Sequence, residues 1–75
     1  MAMRATYVPA PAAALGVERL VLDAPAGLAG GGEVTVYLRS RRRVRAAIPA
    51  GQVRDVLRRW GGAAQAGLGE LVIGE

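Results

Sequence analysis

The chain contains no cysteine, no histidine, no lysine, no phenylalanine and no asparagine. Without cysteine a disulfide is impossible, and a secreted disulfide scaffold is excluded. Without thiolate or imidazole the ligands that zinc and copper need are missing. General acid–base chemistry at neutral pH draws chiefly on histidine, so Ser–His and Cys–His nucleophile pairs fail at once. The absence of lysine removes a side-chain Schiff base. The only serine, Ser40, sits among arginines with no neutral base beside it. Six carboxylates remain, at Glu18, Asp23, Glu33, Asp55, Glu70 and Glu75. They are scattered, which suits neither a glycosidase pair nor a hard-cation site. The expectation is a protein that is not an enzyme, with no cofactor, no metal and no small-molecule substrate.

Long apolar runs are missing as well, so no segment reads as a membrane span. The start of the chain lacks the compact leucine-rich stretch of a signal peptide. A cytoplasmic location, or one within a particle assembled in the cytoplasm, is expected, with no membrane partner. Aromatics are few: Tyr7, Tyr37 and Trp60. Alanine and glycine are abundant, and alanine buries little area. A core of this size rarely supplies more than about 3–5 kcal/mol of net stability. One domain over residues 1–75 is expected, helped by association with itself or with a protein partner.

The apolar residues that are present are arranged in short alternating runs. Residues 3–8 (MRATYV) read as a strand ended by Pro9 and Pro11. One helical turn after Pro11, stopped by Gly16, is compatible with proline at a first helical position. Residues 17–24 (VERLVLDA) alternate as a second strand. Residues 28–32 (LAGGG) form a connector without the following Lys-Ser or Lys-Thr of a phosphate-cradling loop. From Glu33 to Pro49 a hairpin is the clearest unit. Val34, Val36 and Leu38 share one face, as do Val44, Ala46 and Ile48. A three-residue turn at Ser40, Arg41 and Arg42 keeps these sets together. It sets Leu38 opposite Val44, Tyr37 opposite Arg45 and Arg39 opposite Arg43.

A helix is predicted over about 51–60. Val53, Val56, Leu57 and Trp60 fall on one apolar stripe. Trp60 is expected as a core anchor, and Asp55 is spaced for an ion pair with Arg59. Arg58 and Arg59 would then lie at the negative end of the helix dipole, with Gly61 and Gly62 as the stop. Residues 63–69 are a loop or a poor further turn, and residues 70–73 (ELVI) read as a closing strand. The fold class is α+β: a small antiparallel sheet of about four to five short strands with one helix packed on it.

All ten basic residues are arginine. The guanidinium fork suits phosphate and carboxylate; GC-rich coding gives the same composition without selection for either. Eight arginines and one carboxylate, Asp55, fall between Arg39 and Arg59, a net of +7. The remainder carries Arg4 and Arg19 against five carboxylates. An opposed Arg39 and Arg43 would repel without an anion nearby. Tyr37 beside Arg45 would allow a cation–π contact.

The candidate contact residues are therefore Tyr37, Arg39, Arg41, Arg42, Arg43 and Arg45 on the hairpin, with Arg54 and Arg58 on the helix. They point first to docking on an acidic protein surface, where arginine serves as an anchor. Virion components and inhibitors of host defence, from phage or mobile elements, fit a short chain of this kind. The alternative is binding along a nucleic-acid backbone by the same arginines. A single tyrosine and the lack of asparagine make that alternative poor in base readers. A third reading is an enzyme subunit that lends one carboxylate or arginine to a larger partner's site.

Overall fold

A computed structural model describes residues 1–74. Strands β1 (Met3–Pro9), β2 (Val17–Ala24), β3 (Gly32–Leu38) and β4 (Arg43–Ile48) precede helix α1 (Val53–Gln65) and strand β5 (Gly69–Gly74). The strands form one antiparallel sheet in the order β4-β3-β2-β1-β5. The first four are a meander. Helix α1 then carries the chain from the β4 edge back across the sheet to the β5 edge. The α+β class read from the sequence is the class observed. No helix among the described residues is long and apolar enough to cross a membrane.

Opposed residues of antiparallel strands share a face. The register therefore puts Ala5, Leu22, Val34 and Ala46 in one row, with Ile73 beyond Ala5. Tyr7, Leu20, Val36 and Val44 form the next row, flanked by Leu71. Helix α1 lies on this face. Val53 is fully buried against Ala5, Leu22, Ala24 and Val34, and Val56, Leu57 and Trp60 pack around them. The Trp60 ring stacks on Tyr7 with centroids 5.9 Å apart. The helical stripe predicted from spacing is the stripe that packs, with Trp60 half-buried. The core is thin: Leu22 and Val53 are its largest fully buried side chains.

Three expectations need correction. The first concerns the extent of the helix. It runs from Val53 to Gln65, passing through Gly61 and Gly62. A glycine ends a helix where it takes the left-handed conformation. Gly67 does so, at φ 78°. Its N–H donates to the Ala64 carbonyl and the Leu68 N–H to the Ala63 carbonyl, a Schellman arrangement. Arg58 and Arg59 thus sit in mid-helix, and the last turn carries no basic residue. Asp55 pairs with Arg58 at 3.8 Å, not with Arg59.

The second correction is the hairpin register. Val36 pairs with Val44, Tyr37 with Arg43 and Thr35 with Arg45. The three-residue turn is Arg39, Ser40 and Arg41, one position earlier than expected. The Arg41 N–H donates to the Leu38 carbonyl at 3.0 Å, and the Leu38 N–H to the Arg42 carbonyl at 2.8 Å. Arg41 holds φ 69°, the bulge position that glycine usually fills. The shift also sets Ile48 opposite Gly32. A Cβ on Gly32 would lie 2.6 Å from the Asp23 carbonyl oxygen and 3.4 Å from Val53 Cγ2, so only glycine lets strand and helix close here. Because both turns have three residues, each side chain keeps its expected face.

The third correction is coverage. Helix α1 packs towards β5 and the turn at Gly27–Ala29. Val44 and Ala46 of β4 are on the helix side, yet both are exposed, Val44 by 56%.

Candidate protein-docking face

Among the described residues all five strands belong to the sheet and α1 is the only α-helix, so no strand or α-helix covers the sheet face away from α1. Its central row runs Val72, Thr6, Val21, Thr35 and Arg45 across all five strands. Four of these five side chains are uncharged. Thr35 lies on β3, one strand in from the β4 edge, and is 6% exposed. Alternation places Arg19, Tyr37 and Arg43 on one side of this row. On the other side it places Arg4, Asp23 and Glu33. Val8 and Glu70 face each other at the β1–β5 end. The central row is therefore uncharged from β5 to β3, with Arg4 and Glu70 at its margins on β1 and β5, and the face is cationic at β4.

Two contacts order its charges. Arg4 Nε donates to Asp23 Oδ1 at 2.7 Å across the β1–β2 pair. That hydrogen bond, and then the charge of Asp23, hold the Arg4 guanidinium above its ordinary pKa. Arg19 lies over the Tyr37 ring, with the guanidinium carbon 3.9 Å from the centroid. Its other partner is the Glu18 carboxylate. Arg19 and Tyr37 are directly opposed on β2 and β3, so the pleat itself brings them together.

The sequence-predicted contact residues divide into three groups. Tyr37, Arg43 and Arg45 share the open face. Arg39, Arg41 and Arg42 are in the exposed turn at its rim, where the Arg39 N–H donates to the Gly16 carbonyl at 2.9 Å. Arg54 and Arg58 are on α1, across the sheet from the first group. Arg54 lines a cleft of about 590 Å³ with Met1, Met3, Leu28 and Ile73. Hairpin and helix arginines thus do not form one surface. Arg39 does not oppose Arg43, so the repulsion expected between them does not arise. The cation on Tyr37 is Arg19 and not Arg45.

Arg19, Val21, Thr6 and Thr35 were not singled out by sequence reasoning. Alternation within residues 17–24 was the available signal, since it puts Arg19, Val21 and Asp23 on one side. Among the described residues no three acidic, histidine or cysteine side chains converge as metal ligands. No family model, curated protein or solved structure matches the chain.

Proposed function

We propose that the chain is a non-catalytic binding module that docks on a protein partner through the open face of its sheet. The observation that carries this reading is the row Val72–Thr6–Val21–Thr35, an uncharged strip flanked by groups of both signs. Protein interfaces have this plan, a core poor in charge with a polar rim. The arginines of β4 and of the adjoining turn supply the cationic part of that rim, and an acidic patch on the partner is its complement.

Docking along nucleic acid is the second reading, favoured by the three exposed arginines of the turn. Two observations count against it on the open face. Arg19 covers one side of the Tyr37 ring, which a base would need for stacking. Asp23, Glu33 and Glu70 share the face and repel phosphate.

The test uses R43E/R45E as bait beside the wild-type chain and R58E, in a nuclease-treated lysate of the source cells. A protein retained by wild type and R58E, and lost by R43E/R45E, is the expected result. Circular dichroism checks that all three baits are folded. Equal retention on R43E/R45E would reject the face, and binding that nuclease abolishes would replace protein by nucleic acid.

A further inference from the structure

The two edges of the sheet differ in how they meet solvent. Strand β4 carries Arg43 and Arg45 on its exposed length. Edge charge of this kind blocks pairing with another strand. Antiparallel self-pairing of β4 about Val44 would set Arg43 against Arg45 of the second copy. Strand β5 carries a charge only at Glu70, near its start. Leu71, Val72, Ile73 and Gly74 are uncharged, and proline is absent from the strand. Val72 is 66% exposed and Ile73 57% exposed, the first on the open face and the second on the helix face.

The backbone of β5 is also aimed for pairing. The Ala10 N–H donates to the Leu68 carbonyl at 2.8 Å, which marks that opposed pair as hydrogen-bonded. Bonded and non-bonded pairs alternate along an antiparallel ladder. Glu70, Val72 and Gly74 therefore bond inward to β1. The N–H and C=O groups of Leu71 and Ile73 point outward, away from the sheet.

We propose that two copies of the chain pair antiparallel along β5, about a two-fold axis at Val72, and so form one continuous sheet. Each Leu71 then opposes Ile73 of the second copy on the helix side, and their outward backbone groups bond to each other. Val72 meets its own counterpart on the open side. Glu70 opposes Gly74, so no like charges face each other. Pairing β5 with β4 of another copy is the competing arrangement. With the helices of both copies on one side of the sheet, those two strands run in the same direction, so that contact is parallel and heterologous, with slanted bonds and no closure. The two-fold pairing is closed, buries the exposed Val72 and Ile73, and adds apolar contact to a core that has little.

The chain lacks cysteine, which makes the test direct. Val72 across the axis is a non-hydrogen-bonded pair, with Cα atoms about 4.5 Å apart. That separation admits a disulfide. V72C is expected to oxidise to a covalent dimer, whereas R45C on the opposite edge stays predominantly monomeric. Ile73→Pro removes an outward N–H without touching the bonds to β1. It is expected to shift sedimentation from dimer to monomer with the circular dichroism spectrum retained. R43E/R45E is expected to remain dimeric, so failure of the docking face and failure of this pairing are separable. A wild-type chain that sediments as a monomer at millimolar concentration overturns the proposal. So does V72C that oxidises no faster than R45C, a result that does not depend on the folding of Ile73→Pro.

Discussion

Arg41 occupies a left-handed backbone position, φ 69°, that L side chains adopt at a cost of about 1 kcal/mol or more. Nothing in the turn offsets this: the Arg41 side chain is exposed and makes no ion pair among the described residues. Arg41→Gly is expected to raise the urea midpoint by an amount equivalent to about 1 kcal/mol, because glycine takes this conformation freely. A lowered midpoint would show that the Arg41 side chain makes a stabilising contact that outweighs the cost of its backbone conformation. The same residue explains why the hairpin register was not legible. With no Gly or Asn in residues 39–42, nothing in the sequence marks which arginine bends left-handed. Which side chains share a face was legible, because strand alternation depends only on odd and even positions. Arg19 was readable on the same ground, as a polar-face residue of β2. That it would reach the Tyr37 ring depended on β2 pairing with β3 in the observed register.

Helix α1 carries two glycines that its own packing does not require. A Cβ on Gly62 would meet no atom within 4 Å, and one on Gly61 only Leu71 Cδ2 at 4.0 Å. Glycine inside a helix costs about 1 kcal/mol relative to alanine. Gly62→Ala is therefore expected to stabilise the fold by about that much, raising Tm by about 4–8 °C in a domain of this size. Gly67→Ala is expected to lower Tm, since Gly67 holds φ 78° in the helix cap. Thermal melts of the two variants read both signs. Opposite signs would mean that the helix ends at Gly61. In sequence the three glycines look alike; only the hydrogen bonds that close on Leu68 distinguish a stop from an interior position. The apolar side of β4 shows a similar gap. Alternation assigns Val44 and Ala46 to the helix face, but it does not say how far the helix reaches across the sheet. The helix leans to β5, and Val44 stays in solvent.

For the molecule as a whole, the missing residue types also determine the response to pH. No side chain present has an ordinary pKa between about 5 and 8, the range that histidine occupies. Arg4 is held above its ordinary pKa by Asp23 beside it. A group raised in the folded state stabilises at every pH below its unfolded value. That contribution is lost only as pH climbs through the folded value, far into alkali. The urea midpoint is therefore expected to be flat from about pH 6 to pH 9. A midpoint that moves within this window would show a group, the α-amino group included, that titrates differently in the folded and unfolded chain. The proposed docking face rests on the uncharged strip across the sheet. That strip was illegible in the sequence because its members come from separate strands and none is distinctive alone.

The crossing of α1 from one edge of the sheet to the other also sets an order of events in folding. Strands β1 to β4 are neighbours in sequence as well as in space, and each pairing closes only a short loop. Pairing β1 with β5 closes nearly the whole chain, a contact of high sequence separation that carries the largest entropy cost. During synthesis the outer backbone of β1 stays unpaired until the final strand has emerged and the helix has swung it into place. The pairing that joins the two ends of the described chain is therefore expected to form after the local hairpins of the meander.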